Sequence, residues 1–378
     1  MSDTLKLFGF VKDVVYTPQI IKPLTEYDFE NFSANRMKSS GLIKAGDSKI
    51  GYSKWISPKR SRSYPFQHIY NTLNSARMLT IIPIIKDEGK DGDIDKIQYS
   101  TVSWMNLMNV YIVLTYYESA QKSLKFSNKI TKQEFNNELI KAQIGEIISY
   151  KQSALHWNRS LIENRFVTIF QQALDAYKSI SYKTGVAIHQ QESLQKYLTE
   201  VIGDFEQFKQ LSLKGSAKAS DRETRTNHLL EFLEDGVKAQ LYIENYLGGV
   251  YHLTADEIIK EGNAYVIQES KNTKDGFLPS LSDIKDGLFK LILYANLDKL
   301  LLDEKEISFL CRLKLTGAKV RQKVRLPCPK TEFEKFTEAN KDVLTKSRLE
   351  LIYKLQLEAE NNKRLQIEIA SNVSKTVN

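Results

Sequence analysis

The chemistry-bearing residues of this chain concentrate in one short run, VYHLTADEIIKEGNAYVIQESKN at 250–272, where Asp256 is followed by Glu269 and Lys271. Strands project alternate side chains to opposite faces, so Glu269 and Lys271 share one face while Gln268 and Ser270 share the other. Asp256 belongs to the preceding apolar stretch, across a tight turn at Gly262-Asn263. Pairing the two stretches gathers two carboxylates and an ammonium at one end of a sheet. Two carboxylates suit one or two Mg²⁺ ions, which prefer oxygen ligands. A metal there would polarise a phosphate ester and acidify a water, and Lys271 would orient that water or stabilise developing negative charge. Val266-Ile267 lead directly into Gln268-Glu269, and Ile258-Ile259 follow Asp256, so these charges end buried strands. Ionisable groups beside apolar strands are costly unless a metal or partner compensates them. Glu257 stands next to Asp256 as an alternative ligand.

The elements that must position these residues follow an αββαβ order. A helix at about 222–237 precedes KAQLYIENY, which turns at Gly248-Gly249 into the strand carrying Asp256. After the strand of Glu269 and Lys271, SLSDIKDGLFKLILYANLDKLL is an amphipathic helix capped by Ser282 or Asp283. ISFLCRLKLTGAKVRQKVRL then reads as a hairpin turning at Thr316-Gly317, and residues 331–370 as a long charged helix or helix pair. Upstream, MLTIIPII (78–85) and VYIVLTYY (110–117) are short, β-branched and aromatic, as buried strands are; Pro83 places the first near an edge or bulge. KDEGKDGDIDK between them is a solvated acidic loop. Its Asp91, Asp93 and Asp95 imitate the start of a calcium loop, but Lys96 replaces the required glycine. From Thr131 to Leu213 the apolar spacing is helical, and the polar run LKGSAKASDRETR marks a domain boundary. The expected organisation is therefore a mixed, then mostly helical N-terminal region over 1–215, a core over 216–330, and a C-terminal helical segment over 331–378.

The D-x₁₂-E-S-K hairpin, with a helix before and after it, resembles the core of the PD-(D/E)XK nuclease superfamily. Within it, residues 221–300 are similar to type II restriction endonucleases, through ESK and LPSLSDIKDGLFKLILYANL. The resemblance implies an α/β (α+β) fold and Mg²⁺-dependent cleavage of double-stranded DNA at a short specific sequence. It also implies a glutamate on the helix before the core that reaches the metal; Glu231 and Glu234 in NHLLEFLEDGV both match that position. A cognate DNA methyltransferase is the implied functional neighbour. Ala255 stands where the family pattern has proline. If the DNA target is palindromic, a two-fold homodimer follows, because protein symmetry then matches site symmetry.

The whole chain is compatible with that chemistry. Its 378 residues carry 54 Lys and Arg against 46 Asp and Glu, a formal net charge of +8 that suits a polyanionic partner. Two basic segments are candidates for DNA contact: Lys54, Lys59, Arg60 and Arg62 among the aromatics of KWISPKRSR, and Arg321 and Lys323 on the expected basic ribbon of 312–325. No apolar run has the ~20 residues that span a bilayer. The N-terminus has no apolar stretch of signal-peptide length, and Cys311 and Cys328 lack zinc-ligand spacing. A bacterial cytoplasmic protein with reduced thiols is the expectation.

Overall fold

The computed structural model describes residues 5–21, 23–57, 75, 77–189, 191–201, 206–211, 214, 237–247 and 250–372. The chain divides into two compact units: Pro23–Gly215, and the paired segments Met1–Lys22 and Ser216–Asn378. The fold is mixed α/β. No helix of the described residues is long and apolar enough to cross a membrane.

The chain opens with β1 (Leu5–Val11), which belongs to the second-named unit. The unit over 23–215 then begins with β2 (Glu26–Asp28), β3 (Ser40–Ala45), β4 (Ser48–Lys54) and β5 (Met78–Pro83). A small antiparallel pair follows, β6 (Ile85–Asp87) with β7 (Ile94–Lys96), then helix α1 (Tyr99–Leu107) and β8 (Val110–Thr115). The main sheet has the order β2-β3-β4-β5-β8. A second antiparallel pair joins β9 (Tyr117–Lys122) to β10 (Ile130–Phe135), followed by helices α2 (Asn137–Ser149), α3 (Ala154–Thr184) and α4 (Gln191–Val201). α3 starts at a Ser153 cap and stops at Gly185, whose φ of 64° is the left-handed conformation that closes helices.

VYIVLT is wholly buried in β8 because helices cover its open edge. Asn158 and Trp157 of α3 bond Val110 and Ile112, and Gln143 of α2 bonds both backbone groups of Leu114. Among the described residues no strand pairs with this edge, and the Asn158 and Gln143 amides with the Trp157 indole take up its backbone groups and block edge-to-edge pairing.

Several expectations for this half are corrected. It is not mostly helical: strands dominate to residue 135, and ITKQEF, expected to begin a helix, is β10. Pro83 sits at the end of an internal strand rather than at a sheet edge. The acidic stretch is not simply solvated. Asp87 is buried, and its carboxylate accepts from the backbone of Gly89 and His189 and bonds His189 Nδ1 at 2.8 Å.

In the other unit, β11 (Val237–Asn245), β12 (Val250–Glu261) and β13 (Ala264–Thr273) form an antiparallel meander. Gly262, at φ 59°, makes the β12–β13 turn. Helix α5 (Leu281–Ala295) follows, capped by Ser280, which accepts from Asp283 N; the cap lies two residues before the expected Ser282. Then come β14 (Lys299–Leu302), β15 (Lys305–Glu306), β16 (Phe309–Gly317), β17 (Val324–Leu326), α6 (Lys330–Ala339), α7 (Lys346–Asn361) and β18 (Leu365–Ala370). Among the described residues the strands join in one nine-stranded sheet, β15-β14-β1-β11-β12-β13-β16-β18-β17. β13 pairs in parallel with β16, and β16 in parallel with β18.

Two further corrections follow from this order. Residues 309–326 are not a hairpin, because β18 lies between β16 and β17. The C-terminal stretch is not a separate helical segment, because LQIEIA alternates buried and half-buried residues as a strand inside this sheet.

Candidate active site

β12 and β13 are paired so that Glu257 opposes Gln268, and this register sets Asp256 beside Glu269. Asp256 Oδ2 accepts from Ser270 N at 2.9 Å, which fixes the carboxylate against the neighbouring strand. Glu269 and Lys271 turn to the face covered by α5. Gln268 turns the other way and donates to Glu257. Asp256 therefore lies with Glu269 and Lys271, and Glu257 lies on the opposite face.

Helix α5 supplies the complementary charges. Lys290 Nζ donates to both Glu269 oxygens, at 2.8 and 2.9 Å, and to the Thr254 carbonyl at 3.1 Å. Asp286 accepts a short bond from Lys271. These pairs arise from matched repeats. Residues i and i+2 on a strand are about 6.6 Å apart, and residues i and i+4 on a helix rise about 6 Å. A helix running back along β13 therefore sets Lys290 against Glu269 and Asp286 against Lys271.

The close approach depends on Gly287. A Cβ there would come within 2.4 Å of Leu313 Cδ1 and 3.5 Å of Lys271 Cε. Gly287→Ala is therefore expected to lose stability despite a helix-propensity gain of about 1 kcal/mol. Overpacking a filled core costs about 1–3 kcal/mol and would push α5 from β13. Urea unfolding checks this; a more stable variant would show that the helix has room to spare.

Burial dominates the electrostatics. Glu269 is 1% exposed. Burial raises its carboxyl pKa from the usual 4.5 to about 7, against the opposing pull of Lys290 and with a further upward push from Asp256. The folded value exceeds the unfolded one, so the folded state holds the extra proton between these limits. This group's contribution to stability accordingly falls as pH rises from about 4.5 to about 7. A carboxyl ¹³C titration of metal-free protein should place the Glu269 midpoint near 7, and Lys290→Met should move it higher. A midpoint near 4.5 would mean that burial does not outweigh the Lys290 ammonium.

The remaining candidate residues have varied placements. Glu231, Glu234, Lys59, Arg60 and Arg62 lie outside the described residues. Lys54 does not extend toward solvent. Its ammonium donates to the carbonyls of Ala34 and Met37, and burial lowers its pKa. Trp55 and Tyr52 beside it are core residues. Arg321 and Lys323 are exposed on the loop between β16 and β17, with Arg321 paired to Asp342 at 2.8 Å. They do not form the expected ribbon.

Lys290 and Asp286 were missed as site residues. The signal for Lys290 was a lysine inside the apolar run LFKLILY, where a charge needs a buried partner. For a hard divalent ion, the oxygen-only donor set of Asp256 and Glu269 fits, although Lys290 already engages both Glu269 oxygens. Among the described residues, no group of three or more acidic, His or Cys side chains gathers as a metal site. No family model, no curated protein and no solved structure matches the chain.

Proposed function

We propose that this protein is a Mg²⁺-dependent type II restriction endonuclease that hydrolyses double-stranded DNA at a short specific sequence. The observation that carries the reading is the convergence of Asp256, Glu269 and Lys271 on one face of the β12–β13 hairpin. The meander β11-β12-β13, followed by a helix and a strand parallel to β13, supports a PD-(D/E)XK core around them. The +8 net charge supports a polyanionic substrate.

In this mechanism Asp256 and Glu269 would hold the metal, and a bound Mg²⁺ would supply Lewis-acid polarisation of the scissile phosphate and a more acidic water to attack phosphorus. Lys271, at the half-exposed rim, directs its ammonium toward the phosphate oxygens and stabilises the charge that builds as the P–O bond breaks. Asp286 holds that ammonium in place before DNA arrives. Glu231 or Glu234 would complete the metal's ligands. A homodimer acting on a palindromic site and a partner DNA methyltransferase complete the proposal.

Incubating methylation-free duplex DNA with the protein and Mg²⁺, and mapping the ends, tests it. Discrete fragments with a common sequence at their ends are expected, and none in EDTA. Heterogeneous ends set by branches or nicks would favour a structure-specific nuclease, and intact DNA in the presence of Mg²⁺ would refute cleavage.

A further inference from the structure

The Lys290 ammonium occupies a position with the character of a cation site. It is received by three oxygens, the two of the Glu269 carboxylate and the Thr254 carbonyl, at 2.8–3.1 Å. The surroundings are nearly dry: the Lys290 side chain is 9% exposed and that of Glu269 1%. Carboxylate and carbonyl oxygens are also what hard divalent cations select. α5 is held in reach of this cradle by the absence of a side chain at Gly287. The second ion pair, Lys271 with Asp286, locks the same helix to the same strand one step further along.

We propose that Lys290 is a tethered cation that occupies Glu269 in the metal-free protein, and that a divalent ion gains Glu269 only by displacing this ammonium. The proposal rests on the nuclease reading, in which Glu269 is a metal ligand. A Mg²⁺ ion bonds carboxylate oxygens at 2.0–2.1 Å, so on either Glu269 oxygen it would meet the ammonium as a close like charge. The two cations compete for one carboxylate. Metal affinity is therefore set below what the two carboxylates alone would give. Lys290 also keeps Glu269 from standing as an uncompensated buried charge while the metal is absent.

The full-length protein without DNA tests this by calorimetric titration with Mn²⁺, comparing wild type, Lys290→Met, Glu269→Gln and the double variant. At a pH where Glu269 is ionised in both proteins, Lys290→Met is expected to bind Mn²⁺ at least about 10-fold more tightly than wild type, because a competing charge is removed. The double variant should return to weak binding, since the gain passes through Glu269. Mn²⁺ binding of equal strength by wild type and a folded Lys290→Met would overturn the proposal and leave the metal-nuclease reading standing. Mn²⁺ binding by none of the proteins would overturn both.

If Lys290→Met fails to fold, wild type answers alone. The buried Lys290 ammonium should give a slowly exchanging ¹⁵N signal that Mg²⁺ titration removes or shifts. An unchanged signal under saturating Mg²⁺ would overturn the proposal.

Discussion

Lys271→Ala is expected to reduce DNA cleavage by about 10²–10³-fold, the usual cost of removing one preorganised charge from a transition state. The loss should appear in the single-turnover rate rather than in DNA affinity, because one ammonium among many basic groups adds little to binding. Stability should change by less than about 1 kcal/mol, since the Lys271–Asp286 pair is partly solvated at the rim. Asp286→Asn should have a smaller effect on rate, because it leaves the ammonium in place and removes only its orienting charge. Equal rates for Lys271→Ala and wild type, with both folded, would relocate the chemistry.

The second large effect concerns stability. Glu269→Ala strips Lys290 of its carboxylate inside a site where both side chains are at most 9% exposed. Breaking a buried pair from one side costs about 3–5 kcal/mol, because the remaining charge stays desolvated. Converting both partners, as in Glu269→Leu with Lys290→Met, should restore most of that loss. Chemical denaturation of the two single variants and the double variant gives the coupling directly. If Glu269→Ala unfolds like wild type, Lys290 must escape to water, and the close packing of α5 on β13 does not constrain it.

The site's strands were legible because local pattern and tertiary role agree there. YVIQESK passes from apolar residues into charges and LTADEII from charges into apolar residues, although both strands continue past them rather than ending there, and Gly262-Asn263 makes the turn; the register that sets Asp256 beside Glu269 follows from a two-residue turn. The helix after them was legible from its apolar stripe. Its charged members were not, because a lysine in an apolar run has no partner until the fold provides one. The C-terminal β18 was hidden for a different reason. LQIEIA follows a strong helix with no Gly or Pro between, only Asn361-Asn362 to stop it, and pairing with β16 and β17, distant in sequence, makes it a strand. β10 was hidden similarly: Phe135 stands four residues before Leu139 and so joins the helical spacing of the run that follows, and only β9 opposite decides the matter. Lys54 shows the converse error. A basic residue among aromatics suggests a polyanion, yet here the aromatics are core and the ammonium serves two backbone carbonyls.

Phosphodiester hydrolysis at the Asp256–Glu269–Lys271 face, as we propose it, requires the Asp256 charge. Asp256→Asn removes that charge while its amide oxygen can still accept from Ser270 N. Single-turnover cleavage of methylation-free plasmid in Mg²⁺ should proceed with wild type and be abolished by Asp256→Asn, with DNA binding and folding retained in both. Cleavage by Asp256→Asn at the wild-type rate would contradict the assignment.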